Sequence, residues 1–149
     1  MGLLIDASVL IEHERGRLDM AARVAGRAEE EVFLSVVTAS ELLHGVHRAK
    51  DRNLRARRAA FVEAVLDEFP LLGVDLLTAR THAQLWAELA ERGEMVGGHD
   101  LWLAATCVGR GLTLATGNVR ELKRVPGLVV EDWSVGGPSG AGGTPSPPA

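Results

Sequence analysis

Short apolar runs alternate with longer helix-like segments along this chain, and this alternation limits its fold more than any other feature. Runs with strand-like composition occur at 3–5, 32–37, 71–74, 112–116 and 128–131. Segments with the helical spacing of apolar residues lie between them. Strands that alternate with helices predict an α/β fold, here a three-layer α/β/α sandwich with a mostly parallel central sheet.

Capping residues and apolar spacing mark the helical segments. Helices are predicted directly after Asp6, at 18–30, from a cap at Thr38, and at 55–69, 78–92 and 99–110. The last of these is apolar nearly all round, which predicts a buried central helix. We also expect Trp86 and Trp102 to lie in the core and Trp133 to cover the edge of the core.

Length and composition favour one globular domain. The chain has 149 residues, of which 46% are hydrophobic and 24% charged, and its single cysteine is Cys107. One cysteine excludes an internal disulfide and suits a reducing compartment, so we expect the cytoplasm. No apolar run reaches the ~20 residues that cross a bilayer, and no signal peptide is apparent. Residues 134–149 are rich in Gly, Pro and Ser, which predicts a disordered tail after a domain at 1–133.

The net charge of −4 argues against a general polyanion-binding protein, but the charge is uneven. Six basic residues crowd one segment: Arg48, Lys50, Arg52, Arg55, Arg57 and Arg58. They form either a solvated helix face or a contact for RNA or a partner, and the sequence leaves both open. Arg120, Lys123 and Arg124 present the same two alternatives further along the chain.

Three acidic residues lie where predicted elements meet one edge of the sheet. Asp6 ends the first strand, Glu41 lies early in the helix after the second strand, and Asp100 opens the buried helix. The fourth strand runs into Thr116 and Asn118. Ligands of open α/β sheets bind at the carboxyl ends of the strands, so we expect these groups to converge there.

Carboxylates held close together repel one another, and they stay ionised together only if cations neutralise them. Oxygen ligands favour Mg²⁺ or Mn²⁺ over zinc or copper. Such an ion positions a phosphodiester and lowers the pKa of an attacking water. The pattern therefore predicts metal-dependent phosphodiester hydrolysis, with Asp6, Glu41 and Asp100 as candidate ligands.

Each acid also has a purely structural interpretation. Asp6 can cap the following helix, Glu41 can complete a capping box with Thr38, and Asp100 can complement the helix dipole. However, a desolvated carboxylate at the start of the most apolar helix is costly unless it is paired or metal-bound. This cost favours a functional Asp100.

Other chemistries fit these residues poorly. His44 and His47 share a helix face, but no soft ligands accompany them to build a zinc site. Glu41 and His44 have the spacing found in di-iron bundles, which need a second copy that we do not find. A phosphotransfer domain with Asp6 as nucleophile would need a neighbouring acid and a strand-end lysine, and neither is apparent.

Several stretches of the sequence resemble PIN-domain toxins of the VapC type. They read LIDASVLI at 4–11, SELLHGV at 40–46, HDLWLAA at 99–105, TGNVREL at 116–122 and RVPGL at 124–128. The match runs in order over about 1–133. The resemblance implies a Mg²⁺- or Mn²⁺-dependent endoribonuclease, the toxin of a toxin–antitoxin pair. Such toxins usually form homodimers and are silenced by an antitoxin peptide near the acids.

Site residues follow from the resemblance position by position. Asp6 and Asp100 match the family's metal ligands, and Glu41 matches an acid that completes the metal site. The hydroxyls that support the site are matched by Ser8 and Thr116.

The chain departs from the family at its fourth motif. Many members have an acid where this chain has Asn118. We expect Asn118 to be an auxiliary residue of the catalytic site, since it can still ligate a metal through its carbonyl oxygen, with less charge. Glu121, one helical turn on, can supply the lost charge. An alternative function is therefore a catalytically weak module that binds RNA or protein.

Overall fold

A computed structural model describes residues 2–135, so nearly all of the tail predicted at 134–149 lies outside the described part. Five strands form its central sheet in the order β3-β2-β1-β4-β5. They are β1 (Leu3–Ile5), β2 (Val32–Ser35), β3 (Leu71–Leu72), β4 (Thr113–Thr116) and β5 (Val129–Asp132). Every pairing between them is parallel, which confirms the predicted sheet.

Helices cover both faces of this sheet and make three layers. They are α1 (Ala7–Glu14), α2 (Met20–Val24), α3 (Val36–Arg48), α4 (Arg52–Glu68), α5 (Leu76–Arg92), α6 (Gly98–Arg110) and α7 (Val119–Leu122). Leu3 and Ile5 of β1 pack with α1 to α4 on one face, and Leu4 packs with α5 to α7 on the other. Alternate strand residues point to opposite faces, so this short strand contributes to both hydrophobic cores.

The predicted central helix is confirmed. Leu101, Leu103 and Ala104 of α6 are at most 3% exposed. Fully burying a leucine side chain contributes roughly 1.5–3 kcal/mol, so α6 is a main source of stability. Gly111 ends α6 and Gly93 ends α5, both with a left-handed backbone that glycine adopts without strain. No helix within residues 2–135 is long and apolar enough to cross a membrane.

The beginning of α3 differs from the sequence prediction. The strand expected to reach residue 37 stops at Ser35, whose side chain caps the helix by accepting a hydrogen bond from the Val37 amide at 3.0 Å. The predicted cap at Thr38 is therefore wrong, and Thr38 is a fully buried helical residue. A serine at the end of a strand satisfies an orphan helix donor at once, so no loop separates β2 from α3.

Two further predictions are wrong. The helix expected at 18–30 is limited to Met20–Val24, because Gly26 takes a left-handed φ of 80° and turns the chain. Trp86 lies on the outer face of α5 and is 55% exposed, rather than in the core. Trp102 is half-buried and stacks on His82, whereas Trp133 is 1% exposed, as expected for a residue that covers the core.

Candidate active site

Asp6 is fixed at the carboxyl edge of the sheet. Its backbone amide donates to the Ala115 carbonyl at 2.9 Å, which extends the pairing of β1 with β4. Its side chain is 4% exposed and makes no capping hydrogen bond with α1, so the structural interpretation of this acid as a helix cap fails. Instead, Oδ2 accepts hydrogen bonds from Ser8 Oγ at 2.8 Å and from Thr116 Oγ1 at 2.7 Å.

The turn after β4 connects Asp6 to Asp100. Thr116 Oγ1 accepts a hydrogen bond from the Asn118 backbone amide at 3.0 Å. The Asn118 side-chain nitrogen donates to Asp100 Oδ2 at 3.0 Å and to Glu121 Oε2 at 3.1 Å. This orientation suits the surroundings, since the amide oxygen would be repelled by both carboxylates. Asn118 therefore acts here as a donor that holds two acids, not as an oxygen ligand.

Glu121 anchors a second loop to this network. Its Oε1 accepts a hydrogen bond from the Gly97 amide at 2.6 Å, directly before α6 begins. On the other side, the Gly117 amide donates to Ser8 Oγ at 3.1 Å. A continuous set of hydrogen bonds thus runs from α1 through the turn after β4 to the start of α6.

Glu41 approaches the same acids from α3, but without donors. It lies in the second turn of that helix, so it forms no capping box with Thr38. Its Oε1 is buried and has no hydrogen-bond partner among the described residues. His99 Nδ1 lies 3.3 Å from this oxygen without good hydrogen-bond geometry, and it would attract the carboxylate as an imidazolium or as a weak N–H donor.

The charge of Asp6 acts on both of the other acids. Burial raises the pKa of Glu41, and the charges of Asp6 and Asp100 raise it further, while His99 opposes them. Burial and the Asp6 charge also raise the pKa of Asp100, against the hydrogen bond from Asn118. Glu41 and Asp100 are therefore harder to ionise, first because they are buried and second because other carboxylates are near.

The donor set fits a hard divalent cation, although the site is not a finished cage. Within residues 2–135, no three His, Cys, Asp or Glu side chains are gathered closely enough to hold a metal ion. Carboxylate oxygens, an unsatisfied Glu41 oxygen and excess negative charge are what Mg²⁺ or Mn²⁺ prefers. A cation would have to draw these carboxylates together against the repulsion that now separates them.

An open cleft of about 760 Å³ leads away from Glu41. It lies between α1, α3, α4 and the start of α6, and Arg15, Arg48 and Arg58 line it beside His99. The basic residues predicted at 48–58 have different roles, since Arg48 and Arg58 line the cleft and Arg55 does not. Arg55 donates twice to the Ala49 carbonyl and so holds the end of α3.

The second basic group is divided in the same way. Arg124 donates to the Met95 carbonyl at 3.1 Å and so secures the loop before α6. Arg120 and Lys123 are exposed beside α7.

Two contacts in the site did not follow from the sequence, one made by His99 and one by Asn118. The side chain of His99 is 63% exposed, and its Nδ1 also lies 3.3 Å from Glu41 Oε1. Its position next to Asp100 was the available signal. Asn118 was considered as a metal ligand, and the structure places its donor nitrogen against the acids.

Comparisons with known proteins were made on sequence and on structure. The family model described as PIN domain matches residues 3–128. Ribonuclease VapC1 of Rickettsia felis is 35% identical over 131 residues, covering 87% of this chain and 95% of the relative. A tRNA(fMet)-specific endonuclease VapC of Salmonella typhimurium is 37% identical over 102 residues, covering 67% and 74%.

Solved structures give the same picture. DNA-bound VapBC from Salmonella typhimurium is similar with a TM-score of 0.81 at 28% identity, covering 89% of this chain and 98% of that one. VapBC-5, a toxin-antitoxin system of Mycobacterium tuberculosis, is similar with a TM-score of 0.71 at 35% identity, covering 90% and 98%.

Proposed function

The chain belongs to the PIN domain family, and from that premise we propose that it is an endoribonuclease, dependent on Mg²⁺ or Mn²⁺, which acts as the toxin of a toxin–antitoxin pair. The relatives that this chain matches over most of their length are named as ribonucleases or tRNA endonucleases. The observation that carries the proposal is that Asp6, Glu41 and Asp100 approach one another at one sheet edge, where burial and the charges of neighbouring carboxylates raise the pKa of Glu41 and of Asp100.

The side chains divide the work. Asp6 and Asp100 hold the cation, and the hydroxyls of Ser8 and Thr116 keep Asp6 in place. When bound, the metal neutralises the acids, orients the scissile phosphodiester and lowers the pKa of an attacking water. Glu41 completes the site, and its donor-free oxygen is suited to accept a hydrogen bond from that water.

Asn118 and Glu121 support this arrangement from behind. Asn118 holds Asp100 at 3.0 Å, and Glu121 binds the loop before α6 through Gly97. Loss of a residue that orients a metal ligand lowers metal affinity or activity by roughly 10- to 100-fold. We assign Asn118 this positioning role.

A partner protein and a second copy of the chain belong to the same proposal. Several similar structures are toxin–antitoxin complexes, so we propose a cognate antitoxin that covers the acidic site and a homodimer as the active form. RNA as substrate and the buried free thiol of Cys107 both fit the cytoplasm, which we propose as the compartment.

Cleavage of defined RNAs tests the activity. The purified chain is incubated with initiator tRNA(fMet) and, for comparison, an elongator tRNA, in Mg²⁺, in Mn²⁺ and in EDTA. We expect cleavage in either metal and none in EDTA. Asp100→Asn should lower cleavage by at least ~100-fold, since loss of a ligand exceeds loss of its supporting partner.

The matched control is Glu91→Gln, which removes one carboxylate from an exposed position on α5. It should cleave like the unchanged chain. Thermal unfolding of both variants shows whether each is folded. Full activity in a folded Asp100→Asn variant would contradict the assignment.

A catalytically weak binding module is the second candidate, favoured by the amide of Asn118 where many relatives have an acid. Calorimetric titration separates the two candidates. No heat of binding at millimolar Mg²⁺ or Mn²⁺ would favour the binding module, whereas saturable binding lost in Asp100→Asn favours the nuclease.

A further inference from the structure

The cleft beside Glu41 has a charge character opposite to that of the acidic site. Its walls come from α1, α3 and α4, and its volume of about 760 Å³ is open to solvent. Glu41 and His99 lie at the end that meets the acids, and arginines lie further along. Any chain that reaches the acids from this side must therefore pass the arginines.

One face of α3 spans the length of the cleft. Glu41, Gly45 and Arg48 line it, separated by four and then three residues, so they lie on the same side of the helix. With a rise of about 1.5 Å per residue, Arg48 is roughly 10 Å along the helix from Glu41. The guanidinium is thus placed beyond the reacting centre, not within it.

Arg48 is a cation without a partner. It is exposed, and it forms no hydrogen bond or ion pair with any residue of the described part, 2–135. Arg58 differs, because it donates to the Gly45 carbonyl at 3.2 Å and lies 3.7 Å from Glu14. Arg15 has only a long contact of 3.6 Å with Glu12, half exposed to solvent.

These pairings leave the cleft with net positive charge. The acid Glu14 is matched by Arg58, and Glu41 belongs to the acidic site, so Arg15 and Arg48 remain for a ligand. A phosphate backbone is attracted by the exposed guanidinium groups of Arg48, which is unpaired, and Arg15, whose one ion pair is long, and Arg binds phosphate oxygens with two donors at once.

We propose that this cleft binds the RNA strand on one side of the scissile phosphate, with Arg48 and Arg15 holding backbone phosphates. The inference rests on the proposed nuclease function, and it adds the path of the substrate. Gly45 forms part of the floor, where a strand can lie close to the helix. A Cβ at this position would meet nothing within 4 Å, so the space above it is open.

Two variants alter the cleft without touching the acids. Arg48→Glu reverses the free charge, and Gly45→Phe fills the space over the helix. Gly45→Ala is the control for the second, because it adds only a methyl group and improves helix propensity. Arg57→Glu is the control for the first, since it makes the same change of net charge in the same basic segment but outside the cleft lining.

Affinity is measured by fluorescence anisotropy with a labelled, mixed-sequence single-stranded oligoribonucleotide in EDTA, so that no cleavage occurs. Arg48→Glu and Gly45→Phe should weaken binding by about tenfold at low salt, and both controls should bind as the unchanged chain does. Arg48→Ala should reduce the slope of log affinity against log salt by about 0.7, the value for one phosphate contact in a single strand.

Hydrolysis of bis(4-nitrophenyl) phosphate in Mn²⁺ provides the second measurement. This small diester reaches the acids without filling the cleft, so its turnover should be unchanged in Arg48→Glu and Gly45→Phe. Unaltered RNA affinity in Arg48→Glu and Gly45→Phe, together with an unaltered salt slope in Arg48→Ala, overturns the proposal. Unaltered RNA affinity with lost binding of the co-expressed antitoxin also overturns it, and assigns the cleft to a protein. If Arg48-dependent RNA binding occurs but neither RNA nor the diester is hydrolysed, the cleft assignment stands and the nuclease function fails.

Discussion

Asp6 and Glu41 belong to the same acidic site, yet their carboxylates are held in opposite ways. Asp6 accepts hydrogen bonds from two hydroxyls, one of them on a fully buried residue, at 2.8 and 2.7 Å. Glu41 has a buried oxygen without a donor and feels the charges of Asp6 and Asp100. One acid is anchored to the sheet, and the other is left uncompensated on a helix.

This difference shows where the site is rigid and where it can accept a ligand. Hydrogen bonds between residues on β1, α1 and β4 keep Asp6 in one position, as a ligand for a metal with strict geometry requires. Glu41 keeps an open acceptor and unfavourable repulsion, which a cation or a water can relieve. The following changes test this contrast, beginning with the anchored acid.

Thr116→Val should have the largest effect. It removes the buried hydroxyl that donates to Asp6 and accepts from the Asn118 amide, with little change of volume. Loss of the buried one of the two donors to this carboxylate costs up to about 3 kcal/mol of unfolding free energy, and loss of a supporting partner costs 10- to 100-fold in activity. Denaturant unfolding and RNA cleavage measure the two effects.

Thr106→Val is the matched control. Thr106 is also buried, but its hydroxyl donates to the Trp102 carbonyl within α6, away from the acids. It should lose less than about 1 kcal/mol and retain activity. Equal loss of activity in the two valine variants would show that the hydroxyl of Thr116 has no special role in holding Asp6.

Asn118→Asp should have the next largest effect, a loss of about 2 kcal/mol of unfolding free energy in the absence of metal. The change replaces two hydrogen bonds to Asp100 and Glu121 by repulsion between carboxylates. A cation relieves this repulsion, so the rise in Tm on adding Mn²⁺ should be larger than in the unchanged chain. An unaltered Tm in EDTA would contradict the role of Asn118 as a donor.

The anchored half of the site could be predicted from sequence more fully than the other half. An apolar run that ends in Asp6 and another that leads to Thr116 place both at one sheet edge. Their hydrogen bond depends only on the pairing of β1 with β4, which parallel topology makes natural. The three layers and the buried α6 followed from similar local rules.

The other half of the site, around Glu41, could not be predicted in the same way, because local sequence rules do not decide its geometry. Ser35 and Thr38 are both good caps, and only tertiary packing selected Ser35, which moved Glu41 into the second turn. The orientation of Asn118 and the contact of His99 with Glu41 arise between segments far apart in sequence. The helix predicted at 18–30 was wrong because the apolar spacing suggested a continuous helix, whereas Gly26 takes a left-handed backbone that turns the chain.

Glu41→Gln should have a smaller effect on stability, and in the opposite direction. Without metal it removes repulsion with Asp6 and Asp100, and its amide can donate to them, so we expect a gain of about 1 kcal/mol. In a protein of this size that is a rise in Tm of roughly 2–4 °C. RNA cleavage should fall at the same time.

The pH dependence gives the sign of this effect. Because the pKa of Glu41 is raised in the folded protein, the unfolded chain releases the proton first, and stability falls as pH rises above about 4.3. The advantage of Glu41→Gln should therefore be absent near pH 4 and should grow as pH rises through the raised pKa of Glu41. Thermal unfolding in EDTA across this range measures it, and a constant difference between the proteins would refute repulsion as the cause.

Ser8→Ala should have the smallest effect, and it tests whether the burial of a donor determines how strongly that donor stabilises Asp6. Ser8 and Thr116 donate to the same Asp6 oxygen, Ser8 at 2.8 Å. However, Ser8 is only half-buried. Water can replace its hydroxyl, and alanine favours the helix, so the loss should be about 0.5 kcal/mol and a few-fold in activity. Unfolding and cleavage are compared directly with those of Thr116→Val. If the two variants lose the same amount, the number of donors to Asp6 matters and their burial does not.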